Sequence, residues 1–253
     1  MVFKKFISLF NGKWFKLGLA FFLFLVAALI AIAMLLGKEA GYFSIRTQSG
    51  DALKSISLSL DYNNEKEYTS GIDAKAIEGF DQTSPTYLIE NQFAGVRDLH
   101  KNNVGALHLE KSYGYSFYII NTSSNNTSVG VDMKLTMTHD DGLGKAIRVL
   151  TYCEYDGKEH FKVYQMKDDQ QKTYSTYSYV YGRNALVEFN PNPAGGIIFD
   201  NERISISSKD KGNNWLKYTI IFWLEGDDPD CDESILGKSA RFQLQASVDM
   251  SSN

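Results

Sequence analysis

Cysteine, proline and histidine are scarce, with two, four and four residues in 253. Two cysteines exclude a disulfide-dense miniature scaffold. Four prolines, with no Pro-, Gly- or Ser-rich tract, leave no low-complexity linker and exclude a collagenous or disordered chain. The histidines stand at His100, His108, His139 and His160. None belongs to a His-Glu-x-x-His helix or to a Cys/His zinc spacing, so nothing supports a zinc peptidase. Gly-x-Ser-x-Gly and glycine-rich phosphate loops are missing as well. Ser208-x-x-Lys211 has the spacing of an acyl-transfer Ser/Lys pair, but it falls in a polar turn, 207–214, and chance accounts for it. The chain also lacks a basic excess. Its net charge is −4, and the only charges before Lys38 are Lys4, Lys5, Lys13 and Lys16, so the remainder carries 22 basic against 30 acidic groups, a net of −8. Nucleic acid is therefore not an expected partner, and no catalytic residue emerges; the expectation is a protein that is not an enzyme.

One long apolar run is present. Leu17–Gly37 holds 21 residues without a charge or a strongly polar group, and as a helix it spans roughly 30 Å, the hydrocarbon thickness of a bilayer. Four lysines precede it and Lys38 is offset by Glu39, so the positive-inside bias places residues 1–16 in the cytoplasm and everything after residue 38 outside. The run is longer than a signal-peptide core, and a cut after Ala40 would leave Lys38 at the −3 position. The expectation is a single-pass plasma-membrane protein held by residues 17–37 as an uncleaved signal anchor. A cleaved signal peptide and a secreted product is the other reading.

Sixteen Phe and fifteen Tyr favour strands over a helical bundle. Residues 38–53 read as a tether and 54–250 as one β domain. Ser55–Tyr62 alternates, with Ile56, Leu58, Leu60 and Tyr62 on one face. Two short helices are expected, one from Asp73, as its cap, through Phe80, and one from Ile89 to His100. Strand patterns then follow at Val104–Leu109, Tyr115–Ile120, Val129–Met137, Ala146–Tyr155, His160–Gln165, Tyr174–Tyr181, Ala185–Phe189, Ile197–Asp200, Ile204–Ser207, Tyr218–Leu224 and Ala240–Val248. In the third of these, Val129, Val131, Met133, Leu135 and Met137 should face inward. The predicted fold is all-β, a single jelly-roll-like antiparallel β-sandwich preceded by one N-terminal transmembrane helix.

The densest chemical feature lies between Trp223 and Glu233, where Asp227, Asp228, Asp230, Asp232 and Glu233 put five carboxylates in seven residues. A hard cation relieves such repulsion, and Asp228-x-Asp230-x-Asp232 has the alternate spacing with which a loop supplies oxygens to Ca²⁺. Asp227, Asp228, Asp230 and Asp232 are thus candidate calcium ligands, and calcium is the one candidate cofactor. The loop departs from an EF-hand, because Glu233 stands at the turn-glycine position and Ser239 at that of the bidentate glutamate. A solvated acidic turn is the competing reading. Cys153 and Cys231 form one even pair outside the cytoplasm, which invites a disulfide, while Cys153 in an apolar strand also reads as a small buried hydrophobe. Tyr177, Tyr179 and Tyr181 share one strand face, as core or as a stacking platform. Sequons occur at Asn121, Asn125 and Asn126.

Several segments carry a resemblance: Ala40–Phe43 after the apolar run, the strand from Ser55 to Leu60, Tyr118–Ser123, and the closing stretch Tyr218–Cys231, with its Trp-Leu-Glu-Gly-Asp-Asp-Pro-Asp-Cys run. Together they resemble exported β-sandwich proteins of low-GC Gram-positive bacteria, similar to the TasA and camelysin group that builds extracellular matrix fibres. The resemblance implies a jelly-roll sandwich, a bacterial surface location and polymerisation by strand donation. It identifies no catalytic residue, and without a zinc motif the metallopeptidase activity attributed to camelysin-like proteins is not carried over. The expected role is a cell-surface structural or interaction protein of a biofilm matrix, pairing with itself or with matrix proteins through sheet edges. The alternative is a membrane-anchored binding module for glycan or protein. In the fibre reading, Ser55–Tyr62 is the expected donor strand.

Overall fold

The computed structural model describes residues 21–26, 39–47, 55–78, 86–124, 127–167, 186–189, 196–210, 212–226 and 228–248. The chain divides into two units, Met1–Glu39 and Ala40–Asn253. In the first, residues 21–26 are helical and Phe21, Phe22 and Phe24 are exposed. Among the described residues no helix is long and apolar enough to cross a membrane, and most of the run 17–37 lies outside them.

The second unit is mostly β. Its described elements are β1 (Glu39–Thr47), β2 (Ile56–Ser59), β3 (Gly71–Glu78), α1 (Thr86–Asn102), β4 (Gly105–Leu109), β5 (Ser112–Asn121), β6 (Val129–Asp140), β7 (Ile147–Tyr155), β8 (Lys158–Met166), β9 (Leu186–Phe189), β10 (Gly196–Ile206), β11 (Trp215–Leu224) and β12 (Ala240–Val248). One sheet has the order β10-β6-β12-β1-β3, the other β2-β5-β11-β7-β8-β9. Strand β4 shares a side of β5 with β2, facing Ser112–Ser116 while β2 faces Tyr118–Asn121. Between β5 and β7, and again between β10 and β12, the chain changes sheet at every strand.

Each strand's burial follows its layer. In β6, Val129, Val131, Met133, Leu135 and Met137 are buried, while Gly130, Asp132, Lys134 and Thr136 are not. In β12, Ala240, Phe242, Leu244 and Ala246 are buried between Arg241, Gln243 and Gln245, so the first sheet meets water on its outer side. Strand β11 is different: Leu216–Leu224 is buried throughout. Its Leu216, Tyr218, Ile220, Phe222 and Leu224 face the first sheet, where Phe222 meets Phe43 of β1 and Phe242 of β12 at ring-centroid distances of 5.1 and 4.8 Å. Its Ile221 and Trp223 face α1, packing with Leu150, Tyr152 and Val163 against Leu88, Phe93 and Val96. A sheet covered on both sides reads as a continuous apolar run. Each ring buried there contributes about 1.5–3 kcal/mol of transfer free energy. Within α1, Phe93 holds φ at 66°, and its ring lies 4.6 Å from that of Phe161. Such a left-handed residue costs of order 1–3 kcal/mol, and here its burial offsets the cost.

Four expectations are corrected. Residues 39–47, assigned to the tether 38–53, form β1, because Phe43 and Ile45 are fully buried and align with Phe242 and Leu244. The helix expected from Asp73 is instead β3. Ile72 and Ala74 are buried at period two, and Asp73 forms an ion pair with Arg46 of β1 and accepts from the Tyr42 hydroxyl at 2.8 Å, so it caps nothing. Ser55–Tyr62 is shorter than expected. Ile56 and Leu58 are buried in β2, but the Ser59 hydroxyl donates to Asp61 O and accepts from Asp61 N, turning the chain and leaving Leu60 exposed. Finally, the sheets are not antiparallel throughout: β1 runs parallel to β12, and β8 to β9. The helix at Ile89–His100 and the other strands within β4–β12 fall where periodicity puts them, except that the two strands expected at Ile197–Asp200 and Ile204–Ser207 are one, β10; Tyr174–Tyr181 lies outside the described residues.

Candidate functional site

The acidic loop after β11 folds through three successive backbone bonds: Glu225 N donates to Ala146 O, Asp228 N to Glu225 O, and Cys231 N to Asp228 O. These turns carry Asp228 inward. Its Oδ2 accepts from Arg148 Nη2 at 2.6 Å and its Oδ1 from Asp230 N at 3.0 Å, with the two side chains 5% and 1% exposed. Arg148 stands opposite Trp223 in the β7–β11 ladder, and the Trp223 indole donates to the fully buried Glu225 at 3.1 Å. Asp232 accepts from Ser234 N at 2.7 Å and caps a short 3₁₀ turn, Glu233–Ile235; these bonds to Ser234 hold its carboxyl below the usual range. Of the four candidate calcium ligands, Asp227 lies outside the described residues, Asp228 has both oxygens engaged, Asp230 is half-buried and Asp232 serves the cap. Among the described residues no three His, Cys, Asp or Glu side chains converge as a metal-binding group. Arg148, which the sequence reading passed over, is the lone charge in the buried run 146–153, and that isolation was its only signal.

Cys153 and Cys231 are both unbonded. Cys231 lies in the loop at the Arg148 end of β7, whereas Cys153 is near the other end, paired with His160 and Tyr218. From position 147 to 153 a strand rises about 20 Å, far beyond disulfide reach. Burial, followed by the nearby Asp228 and Glu225, pushes the Cys231 thiol up to about 11, and burial raises Cys153 further. Neither has the depressed pKa of a nucleophile. Ser208 is buried and Lys211 lies outside the described residues. Asn121 is not open to modification: its side-chain amide donates to Thr127 O, Ile206 O and Ser207 O. Asn125, Asn126 and Tyr177, Tyr179 and Tyr181 lie outside the described residues.

A second site, unforeseen from the sequence, is a groove of about 840 Å³ at the C-terminal end of α1. On β5 and β11 the residues Phe117, Ile119, Leu216 and Tyr218 fill the core between the sheets, so the intervening Tyr118, Trp215 and Lys217 project to the other side. The helix covers that side only as far as Asn102, where Asn103 N and Nδ2 both bond Leu99 O. Beyond it, Tyr62 swings in from the turn after β2. Its ring centroid lies 4.4 Å from Trp215 and 5.0 Å from Tyr118, and the last two are 5.3 Å apart. Tyr62 and Trp215 are half-buried.

Beside these rings the Lys217 ammonium, on a residue 8% exposed, sits 5.7 Å from the centre of Tyr118. Among the described residues its one acceptor is Lys101 O, at 3.4 Å. Burial lowers the Lys217 pKa. His100 lines the same groove, with Nδ1 2.8 Å from Thr219 Oγ1, which is 2.6 Å from Ser116 Oγ. Burial, with Lys217 second, lowers His100 to about 4, so its imidazole is neutral near pH 7. Ser116 and Thr219 are fully buried, so this chain of polar groups fastens α1 to the sheet and presents no nucleophile. Arg97 adds a second fastening, bidentate to Glu159 of β8. The rim is acidic and amide-bearing, with Asp98, Glu154 and Asp156 on one side and Asn213 on another. The three rings come from positions 62, 118 and 215, and no spacing in the sequence announces their meeting. Comparison of the chain with protein-family models, with curated proteins and with solved structures found no match.

Proposed function

We propose that this chain is a surface-displayed interaction protein, held in the plasma membrane by residues 17–37, with its β unit outside, assembling with copies of itself through exchange of a strand. The connectivity reads as jelly-roll-like, and the reading assigns no catalytic step and no cofactor. One observation carries it. Strand β1, the first element of the β unit, is inserted in the interior of a sheet, parallel to β12 over seven register positions and next to β3 on its other side, with Thr47 N donating to Ser70 O just before β3. Withdrawn, it would leave β12 an open edge and vacate the slots of Phe43 and Ile45, which the same strand of a neighbour fits equally well. Strand β2, the donor the sequence suggested, has only four residues and belongs to its own sheet. The exposed Phe21, Phe22 and Phe24 support the membrane part.

The test uses the aligned pair Tyr42 and Arg241. In a Cys231→Ser background, Tyr42→Cys with Arg241→Cys is oxidised after assembly. Exchange links chains into a ladder on a non-reducing gel. A sample that sediments as polymer yet carries only disulfides within single chains refutes exchange of β1. A second role, as a binding module, is favoured by the half-buried rings and buried ammonium of the groove.

A further inference from the structure

We infer that the groove at the end of α1 binds an acidic saccharide, a chain of pyranose rings bearing carboxylates. This rests on the binding-module reading of the groove and is independent of strand exchange.

Three features of the groove agree on that chemistry. Tyr62 and Trp215 are half-buried and lie against the buried Tyr118, giving a fixed apolar surface of the kind on which the C–H faces of sugar rings stack. Lys217 holds a charge on a residue 8% exposed, with three N–H donors and, among the described residues, a single long bond to a backbone oxygen and no carboxylate partner. A buried ammonium is strongly favoured by an anion that arrives with hydrogen-bonding oxygens, and a carboxylate on a stacked ring delivers one. The bond to Lys101 O holds the lysine as a cation beside a helix C-terminus, and among the described residues it leaves two donors for a ligand. The rim supplies the remainder. Asp98 and Asp156 are exposed carboxylates, acceptors for sugar hydroxyls that an inorganic phosphate would not use. Donor and acceptor groups of opposite sign around one aromatic face fit a ligand that carries both hydroxyls and a spaced acid.

The experiment uses the full chain in detergent and isothermal titration with three probes: a galacturonate trisaccharide, the neutral galactose trisaccharide, and inorganic phosphate. The acidic trisaccharide should bind at least tenfold more tightly than the neutral one. Lys217→Met, which keeps the aliphatic stem, should abolish that preference, and Trp215→Leu should weaken both sugars. Circular dichroism checks that both variants fold, and Lys145→Gln, exposed and outside the groove, serves as a folded control for a general loss of positive charge and should keep the preference for the acidic sugar. Equal affinity for the acidic and neutral sugars overturns the acid assignment and leaves a glycan module standing. Tight phosphate binding with no sugar binding overturns the saccharide. Binding of none of the three at millimolar concentration overturns the saccharide and removes the glycan form of the binding-module reading.

Discussion

Replacing Asp228 by Asn tests what the acidic loop is for. Asparagine keeps an oxygen for Asp230 N but removes the charge that Arg148 Nη2 meets at 2.6 Å, leaving a guanidinium that is 1% exposed and whose Nε has no hydrogen-bond partner among the described residues. Breaking a buried pair from one side costs about 3–5 kcal/mol, because the remaining charge is uncompensated. For a unit of this size each kcal/mol moves Tm by about 2–4 °C, so Asp228→Asn should lower it by roughly 6–20 °C. Removing both charges, with Arg148→Met and Asp228→Asn together, should recover much of the loss, since neither partner is then left as an uncompensated buried charge. Urea unfolding of the four proteins, followed by Trp fluorescence, closes the double-mutant cycle. The same melts in millimolar calcium and in chelator should coincide, because both Asp228 oxygens are already engaged. A single mutant within 1 kcal/mol of the parent, a double mutant no better than the sum of the singles, or a calcium-dependent rise in Tm that Asp228→Asn abolishes would refute the reasoning.

Further measurements address the rest of the β unit. The folded state holds His100 at about 4 against the ordinary 6.5, so the unfolded chain takes up the proton first. Stability from this group is therefore complete above pH 6.5 and falls as pH drops towards 4, by at most about 3 kcal/mol, and His100→Asn should flatten that part of the pH profile. Ile56→Asp with Leu58→Asp should abolish the folded monomer by circular dichroism, since both side chains are buried in β2; a folded monomer that has merely lost self-association would contradict their place in its own core. Protease added to intact protoplasts should digest the β unit, and survival of that unit until lysis would overturn the topology proposed for residues 17–37.

Periodicity carried the reading furthest where one face meets water. In β6 and β12 polar and apolar residues alternate because the first sheet has a solvated side, and both strands were legible almost to their ends. Around β1 the same rule operates, but Phe43 and Ile45 give only two inward positions directly after an apolar run, and the segment passed for a tether. Asp73 has the composition of a helix cap, and what overrode that preference was a partner, Arg46, in another strand. The sites were less legible still. The acidic loop was visible as charge, but its meaning depended on Arg148, 80 positions away from Asp228. The groove exists because α1 stops short of Trp215 and Lys217, a fact of packing that local sequence does not encode.

The parallel pairing of β1 with β12 also determines how the β unit bears load. A chain held in a membrane through the residues before β1 and pulled through those after β12 has its force applied at opposite ends of two neighbouring parallel strands. Their hydrogen bonds, spread over the positions from Gly41 and Ala240 to Thr47 and Ala246, are then sheared together instead of opening one after another from an end. Forced unfolding is governed by the barrier and not by equilibrium stability. This geometry therefore makes β1 and β12 a mechanical clamp, strongest when force enters before β1 and leaves after β12, and weak when the same strands are peeled apart from one end.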